Sequence, residues 1–238
     1  SALTNDGLVD NLARAGIVQS QRVTRAMKAT DRAKYVTPAE APAVSPAQAY
    51  QDAPQRLGYE QTISAPHMHA YALELADVAI HDVQHPRVLD VGAGSGYLTA
   101  CLGHLVDEKG GRVFGIERIP QLAQLAQKNI ERADADLVQR GIVSVERADG
   151  WSGLPNQAPF HFIHVGAAAV EPPKALMEQL ADGGRLVVPV GEQGASQVLL
   201  EIQRTKDTYT RRELMGVSYV PLVRQCTHPA ALKSCVPC

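Results

Sequence analysis

The segment Val88–Tyr97, with the sequence VLDVGAGSGY, has the residue types of a cofactor-binding turn. An apolar, strand-like stretch leads into Gly92, Gly94 and Gly96, and an apolar, helix-like stretch follows. Glycines let the backbone turn tightly and approach a ligand, and the helix that opens after them presents a positive dipole end. The segment therefore predicts a strand–turn–helix cofactor site, with a turn that binds nothing as the alternative.

The spacing of the glycines and the acid before them distinguish between two cofactors. Dinucleotide-binding turns use G-x-G-x-x-G, whereas the third glycine here comes one residue early. Asp90 would repel a diphosphate but attract a ligand that carries an ammonium and a sulfonium. We therefore expect S-adenosylmethionine, held in part by Asp90, Gly92 and Gly94.

Two more acidic residues follow the next two predicted strands. Glu117 ends the first of them, where a carboxylate accepts hydrogen bonds from both ribose hydroxyls of a bound nucleoside. An exposed glutamate at a strand end is the alternative. Asp149 follows the other strand, and the sequence leaves two roles open, an acceptor for the adenine amino group or part of a simple Asp-Gly turn.

The elements that must position these residues alternate between strand and helix. Predicted strands cover 87–91, 112–117, 143–146, 160–165 and 185–190, and predicted helices cover 66–83, 97–106, 120–135 and 172–180. This alternation predicts crossover connections and a mainly parallel sheet. Two later strands, at 197–204 and 208–215, predict an antiparallel hairpin that closes the sheet.

The segments before the first of these helices differ in character from the rest. Residues 7–35 predict two short helices, because apolar positions recur every three or four residues and Gly16 interrupts them. Residues 37–55 carry four prolines among small residues, which predicts a long loop or arm and neither a helix nor a central strand. Ser64 is expected to cap the helix that begins at Pro66.

The length of the chain fits one α/β domain with some additions, or two small domains. The chain has 238 residues, 45% of them hydrophobic, and a net charge of −2, which argues against a protein that binds nucleic acid. Its apolar runs are too short for a bilayer and Ser1–Asp10 lacks the features of a secretory signal, so a cytoplasmic location is expected. We expect one domain: an extension and arm over 1–60, a catalytic core over 61–222 and a tail over 223–238.

Histidine and cysteine spacing gives no metal site. His67 and His69 are two residues apart at a helix start, so they point in different directions, whereas a shared metal favours a spacing of four. Cys235 and Cys238 form a C-x-x-C at the end of the chain without a second ligand pair, which predicts free thiols in a mobile tail. His164, on an apolar strand, predicts a hydrogen-bonded core histidine.

Four segments together closely resemble the protein-L-isoaspartate O-methyltransferase family. They are Gln61–Leu75, Leu89–Gly96, His164–Ala168 and Leu214–Leu222, and the resemblance covers nearly the whole chain. The run Thr-Ile-Ser-Ala-Pro-His is particular to that family, whereas the glycine turn alone indicates only a methyltransferase. The resemblance implies a doubly wound, Rossmann-like sheet and methyl transfer from S-adenosylmethionine to the free α-carboxyl of L-isoaspartyl residues in damaged proteins.

The resemblance also implies roles for individual residues. Ser64 matches the active-site serine of the family. Positions that line its cofactor and substrate pocket match Gln61, Thr62, Ile63 and His69, and cofactor contacts match Ser95, Glu117, Arg118, Ala148 and Asp149. Arg118 and Ala148 differ from common family choices, and Val223 replaces a threonine that relatives often carry.

Other functions on the same fold remain as alternatives, because a fold does not fix a substrate. They are a small-molecule methyltransferase and a non-catalytic adaptor that binds S-adenosylmethionine. A nucleic-acid methyltransferase is disfavoured by the net charge and by His164-Val-Gly-Ala, which stands where such enzymes carry an Asn/Asp-Pro-Pro-aromatic motif. The partners expected are isoaspartyl-containing proteins and peptides, and the protein is expected to be a monomer.

Overall fold

The structure is a computed structural model, and it describes residues 2–36 and 44–224. The α-helices are α1 Asn5–Arg14, α2 Gln21–Ala29, α3 Pro46–Ala49, α4 Pro66–Ile80, α5 Tyr97–Asp107, α6 Pro120–Ala133, α7 Ala135–Gln139 and α8 Lys174–Glu178. The strands are β1 Gln55–Gly58, β2 Gln61–Ile63, β3 Arg87–Val91, β4 Arg112–Glu117, β5 Val143–Arg147, β6 Phe160–Val165, β7 Leu180–Val190, β8 Gln197–Thr205 and β9 Thr208–Val217. Short 3₁₀ turns lie at Arg32–Lys34 and Pro155–Gln157.

Seven strands form one sheet in the order β5-β4-β3-β6-β7-β8-β9. The strands from β5 to β7 run parallel, whereas β8 and β9 pair antiparallel, so the predicted mainly parallel sheet with its closing hairpin is confirmed. The chain runs outward from β3 through β4 to β5 and then returns to the other side of β3 at β6. Ligands of open α/β sheets bind at such a switch point, outside the carboxyl ends of the strands.

The central strands are buried on both faces and separate two apolar clusters. Val88 of β3 belongs to the cluster that also contains Val23 and Met27 of α2, and Leu89 faces the opposite cluster. Successive side chains of a strand point to opposite faces, which explains this division. Burying one such side chain stabilises the fold by about 1.5–3 kcal/mol. The N-terminal helices are therefore packed into the main core.

The two helices predicted in the N-terminal extension are confirmed. The side chain of Thr4 caps α1 by accepting from the amide of Gly7, and that of Ser20 caps α2. Gly16 follows the end of α1 at a φ of 74°. The expectation that 37–55 contains no helix is wrong for its described part, because Pro46 opens α3. Proline is tolerated at a first helical position, and Ser45 caps the turn.

A hairpin that the sequence did not predict contains the start of the Thr-Ile-Ser-Ala-Pro-His segment in its second strand. Strands β1 and β2 pair antiparallel through a two-residue turn of Tyr59 and Glu60, whose φ values are 53° and 57°. Such turns need positive φ at both positions and usually carry asparagine, aspartate or glycine there. The usual turn signal is therefore missing, although the hairpin fixes how the chain enters the site.

One further expectation needs correction, and others concern residues that the structure does not describe. Residues 180–184, which the sequence predicts to be a helix end and a loop, belong to β7, where a register shift against β6 accommodates them as a bulge. Helix α8 is correspondingly shorter than predicted. Part of the arm, 37–43, and the tail cysteines, within 225–238, lie outside the described residues. None of the described helices has the length and hydropathy to cross a membrane.

Candidate active site

The glycine turn connects β3 to α5 through backbone conformations that favour glycine. Gly92, Gly94 and Gly96 have φ values of 85°, 56° and 88°. A Cβ on Gly96 would lie 3.0 Å from the carbonyl oxygen of Ala126, so this glycine also lets α5 and α6 pack closely. A Cβ on Gly94 would find its nearest neighbour, Leu57, at 3.7 Å, which leaves that face of the turn open to a ligand.

Glu117 holds the turn from the end of the neighbouring strand β4. One carboxylate oxygen accepts from the amide of Gly94 at 3.1 Å, and the other accepts from the amides of Arg118 at 3.1 Å and Ile119 at 3.4 Å. Burial raises the pKa of Glu117, and these three amides oppose that rise. The predicted acid is therefore next to the turn, and its geometry is fixed by the backbone.

Asp90 is buried directly before the turn and has two protein partners. It accepts from the Thr99 hydroxyl at 2.7 Å, and its other oxygen lies 2.9 Å from Nδ1 of His164. His164 therefore has the hydrogen-bond partner that the sequence predicts, but it lines a cavity and does not lie in the apolar core. The Asp90 carboxylate places negative charge in the wall of the same cavity.

Two neighbouring cavities lie at the carboxyl ends of β3 and β6. The first is bounded by the glycine turn and by Asp90, His69 and His164. The second has a volume of about 340 Å³, which lies in the range of small-ligand pockets, and its walls include Met68 and Tyr219. Ser64, Thr62 and Gly166 line both cavities.

Ser64 does not cap α4, so this expectation is wrong. The capping position belongs to Ala65, because the helix begins at Pro66, and α4 has no side-chain cap. Ser64 lies one residue too early, and its half-buried side chain is left to face the cavities. Its carbonyl accepts from Arg32 at 2.9 Å, and its side chain interacts with the phenol of Tyr219.

The remaining predicted residues divide into two groups. Thr62, Ile63, His69 and Ser95 line the first cavity, together with Ser64, Asp90, Gly92 and Gly94. The residues that do not line that cavity are Gln61, Glu117, Arg118, Ala148 and Asp149. Glu117 is bonded to the turn, and its carbonyl accepts from the Ala148 amide at 3.2 Å, so the strand ends of β4 and β5 form a continuous edge.

Asp149 stabilises the turn after β5. Its carboxylate accepts from the amide of Trp151 at 2.9 Å, and its carbonyl accepts from those of Ser152 and Gly153. Asp149 therefore has one of the two roles that the sequence left open, as part of an Asp-Gly turn. The indole of Trp151 donates to the carbonyl of Leu222 at 2.8 Å, which connects this edge to the C-terminal segment.

Tyr219 belongs to a segment whose backbone is held firmly against the second cavity. The Gln197 side chain bonds both backbone groups of Tyr219, at 2.7 Å to the amide and 3.2 Å to the carbonyl. Ala168 accepts from the amide of Leu222 and donates to the carbonyl of Val220, each at 2.8 Å. The sequence left open whether this segment covers the pocket, and Tyr219 and Val220 line it.

Sequence reasoning missed three residues that contact the site. They are Arg32, Thr99 and Gln197, which act on Ser64, Asp90 and Tyr219. Their partners lie in other elements, so no local motif marks them. Burial raises the pKa of Tyr219, which favours the protonated phenol, and the Ser64 side chain lowers it in part.

The cavity suits S-adenosylmethionine by the chemistry of its walls. The open glycine turn admits close approach by a ligand, Asp90 matches a cationic group, and the carboxylate of Glu117 lies beside the turn. Within residues 2–36 and 44–224, no group of three or more histidine, cysteine or acidic side chains is arranged to hold a metal ion. The fold and the site together define a Rossmann-like methyltransferase that depends on S-adenosylmethionine.

Comparison with known proteins identifies the family. The model of the protein-L-isoaspartate (D-aspartate) O-methyltransferase family matches residues 3–227, so the chain belongs to that family. It is 42% identical over 222 residues to protein-L-isoaspartate O-methyltransferase of Caenorhabditis elegans, covering 93% of both chains. It is 44% identical over 220 residues to the enzyme of the same name from Triticum aestivum, covering 92% of this chain and 90% of that one.

A solved structure supports the same family assignment. It is described as a putative protein-L-isoaspartate O-methyltransferase from Plasmodium falciparum in complex with S-adenosyl-L-homocysteine. The TM-score is 0.80 at 32% sequence identity, and the match covers 93% of this chain and 99% of that chain. The expected family, fold and cofactor are therefore confirmed.

Proposed function

We propose that this enzyme transfers a methyl group from S-adenosylmethionine to the free α-carboxyl of L-isoaspartyl residues in damaged proteins and peptides. The observation that carries the proposal is the position of Ser64 in the shared wall of two cavities. The walls of one cavity suit the cofactor by their chemistry, and the other cavity has the volume and mixed lining that a peptide residue needs. This position supports contact of Ser64 with both reactants.

The chemistry requires alignment and does not require a strong base. A free α-carboxyl group is ionised at neutral pH, so one of its oxygens is already a nucleophile. That oxygen forms a bond to the methyl carbon while the electrons of the carbon–sulfur bond stay on sulfur. The bound cofactor supplies the activated methyl group. Correct alignment of the two reactants contributes up to about 7–11 kcal/mol to lowering the barrier.

Ser64 is proposed to align the carboxylate. Its hydroxyl donates to one carboxylate oxygen and leaves the other directed at the methyl group. The Tyr219 phenol, which interacts with the Ser64 side chain, orients that hydroxyl. The backbone of Ser64 is in turn fixed by Arg32. This arrangement supports a role for Ser64 in turnover more than in holding the cofactor.

The cofactor is proposed to be held by the predicted residues of the first cavity and its rim. Asp90 attracts the ammonium, Glu117 accepts from the ribose hydroxyls, and Asp149 accepts from the adenine amino group. Gln61, Arg118 and Ala148 are proposed to make further contacts at the rim. The position of Glu117 beside Gly94 supports this assignment.

A serine-to-alanine substitution tests the role of Ser64. We expect Ser64→Ala to lower kcat for an isoaspartyl peptide by roughly 10-fold or more, because it loses a hydrogen bond to a charged group. The dissociation constant for S-adenosylmethionine should change little. Steady-state kinetics and calorimetric titration measure the two effects separately.

A second serine provides the matched control. Ser218 lines the second cavity and is exposed. Ser218→Ala therefore removes a hydroxyl from the second cavity but leaves the wall that the two cavities share unchanged. We expect near-normal turnover from this control. Unchanged turnover in Ser64→Ala, or an equal loss in Ser218→Ala, would contradict the assignment of Ser64.

We further propose that the enzyme acts as a monomer in the cytoplasm, as one domain, and does not bind nucleic acid or a membrane. The net charge of −2 supports the lack of a polyanion partner. The edge strand β9 carries Arg211, Arg212 and Glu213, and charges on an edge strand oppose pairing with another chain. Light scattering of the purified protein at two concentrations tests the monomer, and a dimer at both would contradict it.

A further inference from the structure

Arg32 is a fully buried arginine in the turn that follows α2. One terminal nitrogen donates to the carbonyl of Ser64 at 2.9 Å, and the other lies 3.5 Å from Nδ1 of His69. The guanidinium also lies over the ring of Tyr97, 5.3 Å from its centre. None of these three partners is a carboxylate, and Nε has no hydrogen-bond partner in the described part of the chain.

Such a residue is costly to the fold. A buried charge is usually paired with an opposite charge, because its lost hydration is otherwise not compensated. Burial lowers the pKa of Arg32, although an arginine side chain stays protonated in proteins. A neutral side chain would fill the same space at a lower cost. Packing therefore does not account for the presence of an arginine at this position, and its role lies in the contacts that it makes.

The first contact fixes the backbone of Ser64. Hydrogen bonds from a charged donor are stronger than those between neutral groups, and this one joins positions 32 residues apart. Ser64 lies between the end of β2 and the cap of α4, outside the regular hydrogen bonding of either element. Arg32, from the N-terminal extension, therefore holds the backbone of one of the residues that line both cavities.

The second contact determines the protonation pattern of His69. Arginine has only donors, so the ring nitrogen that faces it must be the acceptor, and the proton of the neutral ring lies on Nε2. Burial lowers the pKa of His69 well below its usual value, and the charges of Arg32, His164 and His67 lower it further. The ring of Tyr97 also packs against it, 5.1 Å between centres. His69 is thus neutral, and its proton position is set by Arg32.

We propose that Arg32 is a positioning residue for methyl transfer, which fixes Ser64 through its carbonyl and holds His69 as the tautomer protonated on Nε2. In this form His69 offers a hydrogen-bond donor to the carboxylate of the cofactor's amino-acid part, since its ring lines the first cavity. The inference rests on the function proposed above. The proposed role of Arg32 means that the N-terminal extension contributes a residue to the active site.

The test compares two substitutions at Arg32 with a control in the same turn. Arg32→Met keeps a long apolar side chain but loses the charge and the donors, whereas Arg32→Lys keeps the charge. The control is Tyr35→Phe, which removes a buried hydroxyl that bonds Asp134 and so weakens the docking of the extension without touching Ser64 or His69.

The direct readout is the nitrogen NMR spectrum of the histidine rings, with the His69 signal identified from a His69→Gln spectrum. We expect wild-type and Tyr35→Phe protein to carry the His69 proton on Nε2. We expect Arg32→Met to show both tautomers, or a ring that becomes protonated as the pH falls. A wild-type spectrum with the proton on Nδ1 would overturn the proposal even if Arg32→Met does not fold.

The second readout is activity on an isoaspartyl peptide. We expect Arg32→Met to lower kcat/KM by about 100-fold, the size of effect that a displacement of about 1 Å in a site can cause. Arg32→Lys should recover part of this loss, and Tyr35→Phe should stay near wild type. An equal loss in Tyr35→Phe would show that the loss of activity comes from weaker docking of the N-terminal extension, and it would overturn the proposal. Failure of wild-type protein to methylate the peptide would instead refute the proposed function, because the NMR result does not depend on turnover.

Discussion

At the scale of single residues, the candidate site contains acidic side chains whose hydrogen-bond partners fix their geometry. Glu117 is the clearest case, because backbone amides of the glycine turn and of its own strand end hold both carboxylate oxygens. Burial raises its pKa above the ordinary 4.5. The fold therefore favours the protonated form more than the unfolded chain does, so this residue's contribution to stability is present below pH 4.5 and is lost as the pH rises through its folded pKa.

The same shift predicts the pH dependence of cofactor binding, with the opposite sign. An ionised Glu117 is the better acceptor for ribose hydroxyls, so the affinity for S-adenosylmethionine should fall as the pH falls through the folded pKa. The decline should begin above the range of an ordinary glutamate, and calorimetric titration at a series of pH values measures it.

Glu117→Gln is the control for this prediction. It should weaken binding at neutral pH by roughly 10–100-fold, since it replaces a hydrogen-bonded charge, and it should flatten the pH dependence. An unaltered pH profile in this variant would show that another group controls binding.

At the scale of elements, the glycine turn lets α5 pack closely against α6 and is also proposed to hold the cofactor. Gly96→Ala adds a Cβ to a residue with a φ of 88° and brings it to 3.0 Å from Ala126 and from Ile130. The conformation alone costs about 1–2 kcal/mol for an alanine. The contacts add to that cost and move the turn, so we expect a lower Tm together with weaker cofactor binding.

Gly183→Ala is the control, because it introduces the same backbone strain without the close contacts that a Cβ makes at Gly96. Gly183 has a φ of 78° with nothing within 4 Å of an added Cβ, and it lies in the bulge of β7. A loss of about 1 kcal/mol lowers the Tm of a domain of this size by about 2–4 °C, so we expect a drop of that order with normal cofactor binding. Equal losses of Tm in the two variants would show that the close packing at Gly96 is not required.

The sequence could predict the parts of the site that lie in one contiguous motif or at a strand end. The glycine turn, Asp90 and Glu117 follow from local spacing because β3 and β4 are neighbours that run parallel. The hairpin before Ser64 could not be predicted, since Tyr59 and Glu60 are unusual turn residues. Arg32 was missed for a different reason: its partner Ser64 is 32 residues away and is reached only through tertiary packing.

At the scale of the whole molecule, the sheet brings together three separate parts of the chain. The glycine turn comes from the middle of the sheet, Ser64 from the segment before α4, and Tyr219 from the segment after β9. Interactions with Arg32 and Gln197 hold the second and third parts in place. This arrangement of two neighbouring cavities supports the proposed transfer between a cofactor and a second reactant.

The proposed specificity for isoaspartyl carboxylates is tested most directly with a pair of peptides. One peptide carries a single L-isoaspartyl residue and its twin carries L-aspartyl at the same position, and each is incubated with the protein and methyl-labelled S-adenosylmethionine. We predict base-labile label on the isoaspartyl peptide alone, because only that peptide has a free α-carboxyl at this position, whereas its twin has the ordinary side-chain carboxyl of aspartate. Label on both peptides, or on neither, would contradict the proposed specificity.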